Sequence, residues 1–250
     1  MTYCCGILVR DGLVMIADTR TNAGLDNIST FRKLHVFEQP GERVLMLAAA
    51  GNLSVTQGVL NFLKEGFENP ETKEIESALT APTMLKAAQF VGKAVRRARA
   101  EAFDPSDQTN GVSFDVTMLL GGQIKGSEPR LFMIYSAGNS IECSQDTNYL
   151  QIGEHKYGKP ILDRAANYDS DIYDALKIGL ISMDSTIKSN LSVGLPIDVA
   201  LLRKDSMELE VQTRIDAGDE YFRDLRERWS KALRAAHMAI PAPPYRGREK

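Results

Sequence analysis

The order in which hydrophobic patterns follow one another restricts the fold of this chain more than any single motif does. Residues 3–9 and 13–18 read as strands joined across Arg10-Asp11-Gly12, a tight-turn sequence. Residues 19–30 are polar and rich in turn formers. Residues 31–37 alternate, with Phe31, Lys33, His35 and Phe37 on one face, and a fourth strand over 43–49 follows the turn Gln39-Pro40-Gly41-Glu42. The first 50 residues therefore predict an antiparallel meander. Helical spacing follows over 52–66 and 83–102. In the second of these, Met84, Ala88, Val91, Val95, Ala98 and Ala102 make one apolar stripe. A polar segment over 104–110 closes on Asn110-Gly111, a turn signal. Strands are expected again at 112–120, 130–135, 141–144 and 149–152, with Gly121-Gly122 and Gly138-Asn139 as turns. A second helical region, strongest over 170–182, precedes a hairpin of 196–203 with 206–213. Blocks of strands alternating with pairs of helices predict an α+β fold, antiparallel sheets covered by helix pairs, and not a doubly wound βαβ sheet.

No linker composition interrupts the pattern before about residue 214, so 2–213 is expected to be one domain. Phe222, Leu225, Trp229, Leu233 and Ala236 then mark an amphipathic helix within 214–240, and 241–250 reads as a frayed tail. Thirty basic against 33 acidic residues give a net charge of −3, which announces no nucleic-acid surface. The longest apolar run, 44–50, is far short of the roughly 20 residues of a membrane span. Cys4, Cys5 and Cys143 form neither a disulfide framework nor a zinc spacing, and the three histidines suggest no metal site. No cofactor is called for. The N-terminal apolar stretch is broken at Arg10-Asp11-Gly12 and lacks a basic leader, so a cytoplasmic protein is expected.

Four residues could carry chemistry. Initiator methionine is trimmed ahead of residues as small as threonine, which would leave Thr2 at the mature N-terminus. A threonine hydroxyl is a weak nucleophile, but an N-terminal one brings its own base, an α-amine titrating near ~8. Asp18 closes an otherwise apolar strand. Lys33 falls within the strand expected over 31–37, on a face shared with Phe31 and His35, and a lysine paired to an aspartate stays charged and lowers the pKa of a nearby amine or hydroxyl. Gly51 stands between a strand and a helix, where a backbone N–H can face developing negative charge. Each also has a plain structural reading: a second residue, an ion pair at a sheet edge, a turn glycine.

Taken together, Thr2, Ala17-Asp18-Thr19-Arg20, Phe31-Arg32-Lys33 and Ala49-Ala50-Gly51 resemble proteasome β-type subunits of the N-terminal nucleophile hydrolases. Four longer strings are similar to the bacterial branch called Anbu, the ancestral β subunit. They begin at Asp18, Asn27, Ile152 and Met183 and read DTRTNAG, NISTFRK, IGEHKYGKP and MDSTIKSNLSVG. The resemblance spans roughly residues 2–213. It implies a four-layer αββα sandwich and a peptide or amide substrate. It also implies Thr2 as nucleophile, Lys33 as the pKa-lowering cation, Asp18 as its partner, Gly51 as oxyanion donor and Asp184 as a further site residue. A homo-oligomeric ring-like or helical assembly is implied as well; no signature of an ATPase partner is visible.

The second half departs from the proteasome β pattern. A Gly-Ser pair that positions the threonine amine is matched by Gly153-Glu154. The Asp that precedes Ser-Gly-Gly by three is matched by Asp184, but Ile187 stands at the +3 position. Ser185 and Ser189 lie nearby as accessory candidates, and Ser192-Val193-Gly194 comes only after an insertion. A carboxylate near an ammonium makes that amine hold its proton more tightly. Reduced or altered activity is expected, and a weakly active assembly or binding scaffold is the alternative class.

Overall fold

The computed structural model describes residues 1–22, 28–68, 73–102 and 113–245. The N-terminal run forms β1 (Tyr3–Val9) and returns as β2 (Gly12–Asp18) across Arg10 and Asp11. A small hairpin of β3 (Arg20–Asn22) and β4 (Ile28–Thr30) leads to β5 (Leu34–Gln39) and β6 (Arg43–Gly51). Helix α1 (Leu53–Glu65) starts where the Asn52 side chain accepts the Val55 N–H, satisfying one of the open donors of a helix N-terminus. A short pair, β7 (Phe67–Glu68) with β8 (Ile75–Glu76), separates it from α2 (Met84–Ala102). Then come β9 (Val116–Ile124), β10 (Arg130–Ile134), β11 (Ser140–Glu142) and β12 (Tyr149–Gly153). Helices α3 (His155–Ala165) and α4 (Ile172–Ser189) follow, the latter capped by Asp171, before the hairpin of β13 (Ile197–Arg203) and β14 (Leu209–Ile215).

These strands build two five-stranded antiparallel sheets, ordered β12-β1-β2-β13-β14 and β11-β10-β9-β6-β5. Strand β6 shows why four layers result. Its apolar run sends Leu45, Leu47 and Ala49 to one side, among Val55, Val59 and Leu63 of α1 and Met84, Ala88 and Val91 of α2. Val44, Met46, Ala48 and Ala50 face the other way, against Cys4, Leu13, Met15 and Ala17 of the first sheet. A strand apolar on both faces needs cover on both, and each fully buried aliphatic side chain contributes roughly 1.5–3 kcal/mol. Helix α4 closes the outer face of the first sheet. Gly179 allows the approach: a β-carbon there would lie 2.6 Å from Ile16 Cδ1. The order is helices, sheet, sheet, helices, the αββα sandwich of the α+β class.

Three expectations need correction. The first 50 residues are not one meander, because β1–β2 and β5–β6 belong to different sheets. The crossing occurs at Phe31–Lys33, which is not strand; there the Phe31 N–H donates to Thr19 O and the Ala49 N–H to Lys33 O. Alternation runs through this segment in sequence while its pairing partner changes. Gly121-Gly122 is no turn but lies inside β9, which runs to Ile124. A β-carbon on Gly121 would meet Leu13 Cδ2 at 2.5 Å, and one on Gly122 would meet Val44 O at 2.1 Å, so both glycines serve close packing. Helix α4 runs on to Ser189, past the stretch of strongest spacing. Gly138-Asn139 does turn, with the Tyr135 N–H donating to Asn139 O at 2.9 Å. The Asn110-Gly111 signal and residues 246–250 lie outside the described residues.

Residues Gly218–Lys250 form a second compact unit. Its helix α5 (Glu220–Ala239) is capped by Asp219, which accepts the Phe222 N–H at 2.7 Å. Phe222 and Leu225 are buried, whereas Leu233 and Met238 are exposed. No helix among the described residues is long and apolar enough to cross a membrane.

Candidate active site

Topology alone gathers the four residues. In the antiparallel pair β1–β2, Cys4 faces Ala17, so Thr2 and Asp18 share one end of the first sheet. In the pair β5–β6, Leu34 faces Ala48, so Lys33 and Gly51 share one end of the second. Lys33 Nζ donates to Asp18 Oδ1 at 2.8 Å and brings those two ends together.

Asp18 is fully buried and Lys33 only 7% exposed. The carboxylate accepts three bonds: Lys33 Nζ at 2.8 Å, the Tyr3 N–H at 3.0 Å and the Gly194 N–H at 3.3 Å. Burial pushes the Asp18 carboxyl above its ordinary range, while Lys33 and the two N–H groups pull it back. The ammonium also donates to Arg20 O at 2.6 Å. On the other side of the peptide group, Thr2 O accepts the Glu154 N–H at 2.7 Å. The Thr2–Tyr3 peptide is thus held at both ends, its N–H by Asp18 and its carbonyl by the β12–α3 junction. Gly153 makes this possible: it has φ +81°, and a β-carbon there would sit 1.9 Å from Thr2 O. Thr2 itself is half-buried beneath an exposed Met1. Alternation along β1 gives Thr2 the same side as Cys4, whose Sγ lies 3.9 Å from Ala49 O across the sandwich.

Strand parity also aims the Gly51 N–H. The Asn52 N–H donates to Asp115 O at 2.9 Å, toward β9, and the Ala49 N–H donates to Lys33 O at 3.1 Å, toward β5. Successive N–H groups alternate between strand edges, so that of Gly51 points the way of Ala49. There β5 has ended and only the Phe31–Lys33 crossing passes. Gly51 adopts φ +119°, and a β-carbon would lie 2.3 Å from Asp115 O. Together with the N-terminus of α1 two residues on, this donor suits a developing oxyanion.

Helix α4 brings Asp184 to the same end. Its first residue, Ile172, lies over Gly12, and Ser182 reaches the Tyr3 hydroxyl, so the C-terminal half lies beside the start of β1. Asp184 is buried two residues beyond Ser182. Ser185 turns its hydroxyl back to Ile181 O at 2.9 Å, and Ser189 is exposed at the helix end. Glu154 caps α3 without a side-chain bond to it. Its Oε2 is buried, 3.5 Å from Lys156 Nζ but in no hydrogen bond among the described residues. Residues that the sequence did not single out complete the surroundings. Thr19 sends both its N–H and its hydroxyl to Pro196 O, and the Arg20 guanidinium lies where a Gly194 side chain would be. Burial pushes the Cys4 thiol well above its usual value and those of Cys5 and Cys143 up to about 12, so none offers a thiolate at neutral pH. Among the described residues no group of His, Cys, Asp and Glu could hold a metal ion.

Comparison with known proteins now decides the family. The family model described as Proteasome subunit matches residues 2–202. This chain belongs to the proteasome subunit family. It is 24% identical over 214 residues to proteasome subunit beta 2 of Nitrosopumilus maritimus (strain SCM1), covering 83% of this chain and 89% of that one. Solved structures place it in the Anbu branch. Anbu (ancestral beta-subunit) from Yersinia bercovieri is 44% identical with a TM-score of 0.88, covering 98% of this chain and all of the other. An Anbu (Gly-1) mutant from Hyphomicrobium sp. strain MC1 is 47% identical, with a TM-score of 0.89 and coverage of 98% and 100%. A helical assembly of the Anbu complex from Pseudomonas aeruginosa gives 40% identity and a TM-score of 0.89, with coverage of 97% and 98%.

Proposed function

We propose that this Anbu-type subunit is a threonine-nucleophile amidohydrolase, cleaving peptide or amide bonds once Met1 is removed. The Thr2 α-amine, freed by that removal, takes the hydroxyl proton directly or through a water, and Thr2 Oγ attacks the substrate carbonyl carbon. The Gly51 N–H donates to the oxyanion as it forms. Collapse breaks the C–N bond, the ammonium gives its proton to the leaving amine, and an ester on Thr2 remains. Water then attacks this ester, the amine again accepting a proton, and Thr2 is regenerated with release of the acid. Lys33 supplies a fixed positive charge that favours the deprotonated nucleophile, and Asp18 keeps that charge in place.

One observation carries this reading. The Asp18 oxygen that holds the Tyr3 N–H also holds the Lys33 ammonium, so nucleophile backbone and cation are anchored to the same atom. The test is labelling by an epoxyketone, which needs hydroxyl and amine together, on protein whose intact mass shows Thr2 as first residue. Adduct on wild type and on Cys4→Ala, with none on Thr2→Ala, is the expected result. A processed wild-type chain that takes no label sinks the proposal.

Residues 2–213 act in this reading as the catalytic domain, and 214–240 as a helical extension serving assembly. The subunit works in the cytoplasm as a homo-oligomer, ring-like or helical; the relative from P. aeruginosa is itself a helical assembly. Glu154 favours a second reading, a weakly active assembly scaffold. One oxygen of its partly buried carboxylate, paired with Lys156, is enclosed one residue beyond the glycine that presses on Thr2 O, and a Thr2 ammonium beside it would be kept protonated.

A further inference from the structure

A tyrosine directly after the candidate nucleophile is an odd occupant of a core. Tyr3 is fully buried, on the face of β1 opposite to Thr2, and its hydroxyl lies between the first sheet and the helices covering it. A buried phenol is stable only when hydrogen-bonded, and besides the Cys5 thiol on its own strand this one has two side-chain partners from other elements. Gln151 Nε2 donates to it, and Ser182 Oγ lies 2.5 Å away. Ser182 Oγ in turn donates to Gly158 O at 3.2 Å, which uses the serine hydrogen and leaves the tyrosine as donor in the shared bond. The relay therefore runs from Gln151 on β12 through Tyr3 and Ser182 to the backbone of α3.

Room for it is made by a missing side chain. A β-carbon at Gly158 would fall 2.4 Å from both the Tyr3 hydroxyl and Ser182 Oγ. Glycine inside a helix costs about 1 kcal/mol relative to alanine, so α3 is weakened to admit this hydroxyl. Burial also pushes the Tyr3 hydroxyl well above its usual pKa, which keeps it a neutral donor.

The partners point to a purpose. Gln151 stands two residues before Gly153 and three before Glu154, the junction that binds Thr2 O. Ser182 stands two residues before Asp184. Tyr3 adjoins Thr2 and sends its own N–H to Asp18. Three separate segments of the candidate site thus meet at one phenolic oxygen. We propose that the Tyr3 hydroxyl is a positioning hub that fixes Thr2, the Asp184 turn of α4 and the Gly153–Glu154 junction relative to one another. Its catalytic consequence rests on the threonine-nucleophile reading; the tie itself does not.

Hydrogen exchange on Tyr3→Phe reads the tie without any assay of activity. Protected amides in peptides over 150–156 and over 180–188 are expected to exchange together, at least about threefold faster, while 116–124 in the other sheet stays unchanged. Unchanged exchange in either segment overturns the hub. Kinetics on processed protein read its role. In Tyr3→Phe, kcat and the epoxyketone inactivation rate are expected to fall ~10- to 100-fold with KM within about twofold. Phe132→Leu, a core change in the second sheet, is the control for lost stability and should retain kcat. Tyr3→Phe combined with Ser182→Ala should be no worse than the poorer single variant. If Tyr3→Phe retains kcat as the control does, the positioning role is overturned. If processed wild type takes no label, the nucleophile reading falls and the positioning role with it, whatever the exchange shows of the tie.

Discussion

Replacing Lys33 by methionine tests the electrostatics of the site without relying on a substrate. The side chain keeps its length and loses its charge. What remains around the buried Asp18 carboxylate is the Tyr3 N–H at 3.0 Å and the Gly194 N–H at 3.3 Å, both neutral. Removing one partner of a buried ion pair costs about 3–5 kcal/mol, a large share of the roughly 5–15 kcal/mol that holds a domain together. The sign of the pH dependence follows from the raised Asp18 carboxyl. The folded state holds that proton more tightly than the unfolded chain does. Its contribution to stability is therefore complete below the ordinary carboxylate range and is lost as pH rises through the folded value. Without Lys33 the folded value climbs further, so the loss extends to higher pH in the variant than in wild type. Lys33→Met should cost little in acid, where Asp18 is protonated in both chains, and increasingly more toward higher pH. Adding Asp18→Asn should return at least ~2 kcal/mol at higher pH. Urea unfolding at fixed protein concentration, followed by far-UV circular dichroism at several pH values, measures all three chains. A cost independent of pH, or a double variant no more stable than the single, would refute the buried-charge argument.

The other predictions concern backbone and nucleophile. Gly51→Ala forces a β-carbon to within 2.3 Å of Asp115 O at φ +119°, and should cost ~1–3 kcal/mol in thermal stability together with about 100-fold in epoxyketone labelling rate. Equal labelling in this variant would show that the bare, positive-φ backbone of Gly51 is not what holds the donor in place. Glu154→Ser should move the acidic limb of the pH–rate profile on a reactive amide substrate to lower pH, because a buried carboxylate no longer favours the protonated amine. Superimposable profiles would show that Glu154 does not influence the amine. Cys4, Cys5 and Cys143 are buried, so iodoacetamide at pH 8 should leave the native chain unmodified and alkylate all three in denaturant, read by intact mass.

Much of this site was legible because it lies at strand ends. Strand periodicity located β1, β2 and β6, and with them Thr2, Asp18 and Gly51, within a residue or two. The helix after Gly51 is readable from its spacing over 52–66. Lys33 lies in a segment that alternates like a strand, yet it is the crossing between sheets that carries the lysine to Asp18. A glycine pair signals a turn in sequence, whereas here Gly121 makes room for Leu13 of the facing sheet and Gly122 presses on the Val44 carbonyl of the neighbouring strand. Tyr3, Gln151, Gly158 and Ser182 could not be connected at all. Their bonds join residues up to 179 apart in the chain, and no local pattern announces such a contact.

The distribution of unfavourable features bears on the choice between peptidase and scaffold. A buried ion pair is commonly no more stabilising than apolar side chains of the same size. Glycines at positive φ that press on neighbouring backbone lose more entropy on folding than other residues would. A carboxylate oxygen buried without a hydrogen bond is a plain cost. Single features of this kind also occur away from the site, as at Gly12 and Gly122, but only around the Thr2–Tyr3 peptide do such glycines, Gly51 and Gly153, stand with the buried Asp18–Lys33 pair and with Glu154 among the described residues. A subunit that only had to assemble could cap the same strands with apolar residues and ordinary turns. Local rules are broken together where a reaction requires charge, bare backbone and fixed geometry at one point. A Glu154 carboxylate beside the amine would weaken it as a base, but it leaves untouched the reason for the other three features.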